Sequence, residues 1–129
     1  MFRKIFSVLA LTASLLVANS ASAKAIVVLS ETKADYVQTD AGYILHFNLE
    51  ATAAELQEIE AKVAGISDRV KMETEFISEG KYKVTYTVDH QNQPEYVHKM
   101  MMVSGFQVVN YKGSPYGLDK IVEILYSYQ

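Results

Sequence analysis

The chain has 129 residues, half of them hydrophobic, a formal charge of −3 and no Cys. Without a thiol, disulfide staples, thiolate catalysis, thiolate zinc sites and redox switching are excluded. The acidic balance repels polyanions at long range, so neither nucleic acid nor an anionic membrane surface is expected as a partner.

Residues 1–23 read as a secretory signal peptide. Arg3 and Lys4 form a positive start, residues 5–17 are an apolar run, and Ala21-Ser22-Ala23 offers the small residues a signal peptidase reads. The run is too short to cross a bilayer comfortably, so cleavage before Lys24 is expected, with no stable membrane insertion afterwards. This implies bacterial Sec-type export to the periplasm or beyond. The 106 remaining residues are one domain's worth. Losing Arg3 and Lys4 takes their formal charge to about −5.

Residues 24–41 read as an N-terminal extension. Ala25, Ile26, Val27, Val28 and Leu29 form a short apolar run that suits an edge strand, and Asp40-Ala41-Gly42 is a turn signal. Left unpaired, such an edge would invite a homodimer by strand pairing.

From Gly42 the pattern becomes regular. Tyr43, Leu45, Phe47 and Leu49 alternate with Ile44, His46 and Asn48, which predicts a half-buried strand. Thr52-Ala53-Ala54-Glu55 is a capping box, and Leu56, Ile59, Val63 and Ile66 then recur at helical spacing. Gly65 suits a left-handed stop. Val70, Met72, Thr74 and Phe76 alternate with Lys71, Glu73 and Glu75, Glu79-Gly80 marks a hairpin, and Tyr82, Val84, Tyr86 and Val88 alternate with Lys83, Thr85 and Thr87. Pro94 opens a second helix with Val97, Met100, Met101 and Ser104 on one stripe and Gly105 at its end. Residues 106–111 follow as a fourth strand, and Gly113-Ser114-Pro115 as a turn. Leu118, Ile121, Val122 and Leu125 suit a closing helix, whereas Val122, Ile124, Tyr126 and Tyr128 suit a strand equally well.

The expected fold of residues 42–129 is therefore α+β, a ferredoxin-like β-α-β-β-α-β sandwich followed by a C-terminal helix or strand. One sheet face should carry the helices. The alternation leaves Ile44, His46, Asn48, Lys71, Glu73, Glu75, Lys83, Thr85 and Thr87 on the other, which lacks the aromatic platform on which single-stranded RNA is stacked.

Two stretches resemble a known family. Ala64-Gly65-Ile66, and Val84-Thr85-Tyr86 followed by Pro94, Met101 and Gly105-Phe106, are similar to the packing motifs of heavy-metal-associated domains, over about residues 42–112. The resemblance implies fold more than function. That family holds soft metals with a CxxC pair, and the corresponding positions fall near Leu49 and Thr52, so its metal site is absent.

A Cys-free substitute is a second possibility: His98 and Met102 are spaced i, i+4 with Met101 beside them, and imidazole and thioether suit Cu(I). Methionines on that stripe are also ordinary core filler. His90 lies in the loop before Pro94. Tyr111, Tyr116, Tyr126 and Tyr128 form a late aromatic cluster that suits a partner surface or the packing of the C-terminal segment onto the domain.

No catalytic set is found. Gly113-Ser114-Pro115-Tyr116-Gly117 has its Ser one place too early for a nucleophile elbow, and HExxH, P-loop and GxGxxG patterns are lacking. The sequence favours a non-enzymatic exported binding or interaction module with no cofactor and an envelope protein as partner. Its alternatives are a Cu(I)-binding protein using His98 and Met102, and a protease inhibitor resembling subtilisin propeptides.

Overall fold

The computed structural model describes residues 25–66 and 68–129. The signal-peptide reading of residues 1–23 lies outside them. The described residues form an α+β fold with three α-helices and a seven-stranded mixed sheet.

In chain order, β1 (Ile26–Leu29) is followed by a 3-10 turn at Lys33–Asp35, β2 (Tyr36–Gln38), β3 (Tyr43–Glu50), α1 (Ala53–Gly65), β4 (Val70–Ser78) and β5 (Lys81–Val88). Then come α2 (Pro94–Val103), β6 (Val108–Tyr111), β7 (Ser114–Gly117) and α3 (Lys120–Ser127). The alternation in β3 and β5 buries Tyr43, Leu45, Phe47, Leu49, Tyr82, Val84, Tyr86 and Val88 on one face, as period-2 patterning requires. Leu56, Ile59 and Val63 of α1, Val97, Met100 and Met101 of α2, and Ile121, Ile124 and Leu125 of α3 join them in one core.

The sheet runs β4-β5-β3-β1-β6-β7, with β2 on β3 as well. Between residues 43 and 111 the elements do follow β-α-β-β-α-β along the chain. In space, however, the order is not the simple ferredoxin-like one, because β1 lies between β3 and β6. It pairs antiparallel with β3 (Val27 opposite Leu49) and parallel with β6 (Val27 opposite Val109). This corrects the expectation of an edge strand. An apolar run covered on both sides by backbone partners has no free edge, so dimerisation through residues 25–29 is closed off. Val27 is fully buried.

Local chemistry explains the element ends. Thr52 Oγ1 accepts from the Glu55 amide at 3.1 Å while Glu55 Oε1 accepts from the Thr52 amide at 2.8 Å, which completes the capping box of α1. Gly65 is the last helical residue and not a left-handed stop; Gly80, Gly105 and Gly113 are the glycines with positive φ. At Gly105 (φ 101°) α2 ends in a Schellman motif, with Phe106 N–H donating to Met101 C=O at 3.1 Å and Gly105 N–H to Met102 C=O at 3.0 Å. Residues 114–117, read as a turn and its sequel, instead form β7. The turn is Lys112-Gly113, both at positive φ, which is the two-residue hairpin geometry that matches strand twist. Residues 120–127 are helical, resolving the helix-or-strand alternative: Ile121, Ile124 and Leu125 share the buried stripe and Val122 lies beside it.

Ser104 is the fully buried polar residue of the core. Its hydroxyl donates to Met100 C=O at 2.8 Å, so the 2.8 Å contact with Tyr86 is donated by the tyrosine. Burial holds the Tyr86 hydroxyl well above the ordinary tyrosine range. Ser104→Ala therefore strands a buried O–H and is expected to cost about 1–3 kcal/mol, whereas Tyr86→Phe leaves Ser104 bonded and costs about 1 kcal/mol. Denaturant unfolding of both variants and the double variant checks this; the double should cost less than the sum.

Candidate functional site

All three helices pack on one sheet face, and no helix among the described residues covers the other. None is long and apolar enough to cross a membrane. The uncovered face carries the residues the alternation placed there. Across its strands, Lys83 pairs with Asn48 and Asn48 with Val28; Thr85 pairs with His46.

The face is notched at one place. β1 pairs with residues 48–50 of β3, and β2 with residues 43–45 of the same edge. Between them the chain leaves the sheet at Ser30, turns at Lys33–Asp35 and returns, so no described strand pairs with His46 and Phe47 on that side. The gap is a cleft of about 150 Å³ lined by Ser30, Asp35, His46, Asn48 and Lys83 together with flanking apolar atoms of β1 and β3.

The loop that shapes the cleft is tied down. Ser30 Oγ donates to Asp35 Oδ2 at 2.6 Å and accepts from the Thr32 amide at 3.2 Å, and the Tyr36 hydroxyl donates to Ser30 C=O. His46 Nδ1 lies 3.2 Å from Thr85 Oγ1. A serine, a histidine and an aspartate thus share one notch, but not as a nucleophilic set. The Ser30 hydroxyl donates to the Asp35 carboxylate and His46 Nδ1 is engaged by Thr85, so the imidazole is not paired with the serine as a Ser-His set requires. What the notch offers is an ammonium (Lys83), a carboxylate (Asp35), an amide (Asn48) and an imidazole, which together suit a small polar group carrying both donors and acceptors. Sequence patterning identified His46, Asn48 and Lys83 as face residues. It did not join them to Ser30 and Asp35, since only the interrupted pairing along β3 does so.

The other candidates are not gathered. Met101 is fully buried in the core, while Met102, one residue on, is 55% exposed and His98 is half-buried. Successive helical residues point about 100° apart, so the proposed trio divides between core and solvent. Met101 is corrected from candidate ligand to core residue. His90 rests against the Tyr96 ring at 5.4 Å. Among the described residues no three or more His, Asp or Glu side chains are grouped to hold a metal ion.

The late tyrosines are not one exposed patch either. Tyr111 is buried, and its hydroxyl is 3.1 Å from that of Tyr128, which also donates to Glu31 C=O at 3.0 Å and stacks on Tyr36 with ring centres 5.0 Å apart. The hydrogen bond with Tyr111 raises the Tyr128 hydroxyl above its ordinary range. Tyr126 donates to both Glu95 carboxylate oxygens at 2.8 Å, which raises its own hydroxyl likewise. Lys120 Nζ sits 4.5 Å above the Tyr116 ring. Tyr111 and Tyr128 thus fasten β6 and α3 to the loop and strand near β1, which corrects Tyr111 from partner surface to packing residue. Only Tyr116 and Tyr126 retain substantial exposed area.

Comparison of the chain with family models, with curated proteins and with solved structures finds no match.

Proposed function

We propose that the chain is an exported, non-enzymatic binding module that grips an envelope polypeptide through its uncovered sheet face, with the cleft between β1 and β2 as the anchor. The carrying observation is that cleft: a tied loop brings Asp35 to line it together with His46, Asn48 and Lys83. A polypeptide supplies what the notch complements, namely paired donors and acceptors on one backbone or a polar side chain. The interfacial value of such a notch lies in excluding water around a few hydrogen bonds.

Kinship with heavy-metal-associated domains is part of this reading. It is supported by the chain order of elements from β3 to β6 and by the core positions of Val84, Tyr86, Met101 and Phe106. On it, the domain is a ferredoxin-like sandwich widened by an inserted strand. No observation favours the alternatives. The copper reading retains two donors on the outer side of α2. The inhibitor reading needs an extended tail, whereas α3 is docked on the core and Gln129 Nε2 donates to the Tyr43 hydroxyl at 2.7 Å.

Site-specific photo-crosslinking in cells tests the proposal. A photoreactive residue at exposed Asn48 should give a discrete protein adduct that weakens several-fold when Lys83 and His46 are both changed to Ala, and the same probe at Met102 should not. Adducts from position 102 alone, or adducts from 48 indifferent to those changes, would overturn it.

A further inference from the structure

The two ends of the sheet are unlike. β7 is a four-residue edge containing Pro115. Its two-residue turn makes Tyr111–Ser114 the hydrogen-bonded pair, so position 115 turns its nitrogen to the free edge, where proline has no proton to offer. That edge is blunted. β4, at the other end, is nine residues long, and no described strand pairs with its outer side.

The polarity of that outer side follows from one bond. The Asp89 amide donates to Arg69 C=O at 2.7 Å, so the backbone of residue 69 faces β5. In an antiparallel ladder the direction alternates, hence 71, 73 and 75 also face β5. Val70, Met72 and Thr74 direct their N–H and C=O groups outward. The same residues point their side chains to the helix side, and Lys71 and Glu73 point theirs to the uncovered face, both exposed.

A second copy of this strand fits such an edge antiparallel, and charge selects one register. Centred on Lys71 it sets Lys71 against Lys71, on Glu73 it sets Glu73 against Glu73, and on Thr74 it sets Glu73 against Glu75. Like charges directly opposed are destabilising. Centred on Met72, every charged residue inside the strand meets an opposite one or leaves the ladder: Lys71 faces Glu73 twice over, related by the twofold axis, and Val70 faces Thr74.

We propose that β4 pairs with the β4 of a second copy of this chain about a twofold axis at Met72, joining the two sheets into one. The same register brings the partner's Phe76 opposite Asp68. There a groove of about 550 Å³ opens between α1 and β4, floored by Val63, Ile66, Val70 and Met72. Phe76 is 67% exposed, the most exposed large hydrophobic residue of the described chain, and its ring meets that of Tyr82 in an edge-to-face contact with centres 6.0 Å apart. Each copy supplies one protruding ring and one groove, the self-complementarity that a closed twofold interface requires. Both uncovered faces lie on the same side of the joined sheet, so the interface leaves the cleft free and the inference is independent of the cleft's function.

Sedimentation velocity on the purified protein across a hundredfold concentration series provides the test. The unchanged chain should be a dimer. Lys71→Glu and Glu73→Lys should each weaken association by at least about tenfold, with the circular dichroism spectrum unchanged, and the double reversal should restore it. Only the Met72-centred register predicts that rescue. Met72→Cys adds a readout free of background, because the chain has no Cys. Hydrogen-bonded antiparallel pairs put Cα atoms about 5.5 Å apart, within the disulfide range of about 4.4–6.8 Å, so mild oxidation should link two chains. A monomer throughout the series, a dimer indifferent to the single reversals, or reversals that do not rescue one another would overturn the proposal.

Discussion

A chain shortened to residues 42–129 is expected to lose cooperative folding. The deletion removes β1, the bridge between β3 and β6, and leaves β6 with β7 as its one remaining partner among the described strands. Val27 and Leu29 leave the core with it, and so does Tyr36, whose ring stacks on Tyr128 and whose hydroxyl anchors Ser30. Burial of an aliphatic side chain is worth about 1.5–3 kcal/mol. Two of these, a buried tyrosine and two rows of orphaned backbone groups approach the whole stability of an ordinary domain, about 5–15 kcal/mol. Thermal unfolding followed by near-ultraviolet circular dichroism reads the result, with Val27→Asp in the full chain as a companion expected to fail for the same reason. A truncated chain that melts cooperatively within a few degrees of the full one would mean that β6 closes directly onto β3, and that residues 25–41 are an accessory.

Gly42→Ala is expected to be the most damaging single-methyl change in the protein. A Cβ at this position would lie 1.8 Å from Val88 O and 2.8 Å from Val88 C, both backbone atoms of the neighbouring strand. Tyr43 pairs with Val88 there, and the Gly42 amide is held by Thr39 Oγ1 at 2.9 Å, so neither side can retreat without breaking the ladder. A cost of about 3 kcal/mol or more follows from the class of overpacking and ladder loss, which for a domain of this size lowers the melting temperature by roughly 10 °C or more. Gly65→Ala is the control. Nothing lies within 4 Å of its Cβ, and the position is helical, so alanine should be neutral or stabilising by up to about 1 kcal/mol. Equal losses at the two sites would show that the β3–β5 approach is not the constraint.

Long-period patterns were legible without coordinates. The alternation of residues 43–49 and 82–88, the capping box at Thr52 and Glu55 and the stripe through Val97, Met100 and Met101 each depend on contacts within one element or on one face. β2 and β7, three and four residues long, were not legible, since so short a segment completes no convincing period and is a strand only because a neighbour supplies its hydrogen bonds. Pro115 and Gly113 even argued for a turn, and the turn proper is one residue earlier. The tyrosines were legible as aromatic mass but not as interior or exterior. Tyr111 and Tyr126 are alike in the sequence, and only docking of α3 buries one and leaves the other at the surface.

The sequence by itself determined which residues of β3, β5 and the first two helices face inward, where those two helices begin, and that this is an α+β domain without thiol chemistry, because side-chain periodicity and caps act over a few residues. Only the tertiary structure decided that residues 26–29 lie inside the sheet, that β4 is the long outermost strand of those described, and that Ser30 and Asp35 meet His46 and Lys83 across a break in β3's pairing. Those are outcomes of which backbone lies beside which. Strand partners here come from segments as far apart as Val27 and Val109, and a pattern that says which face is apolar is the same whichever neighbour the strand acquires.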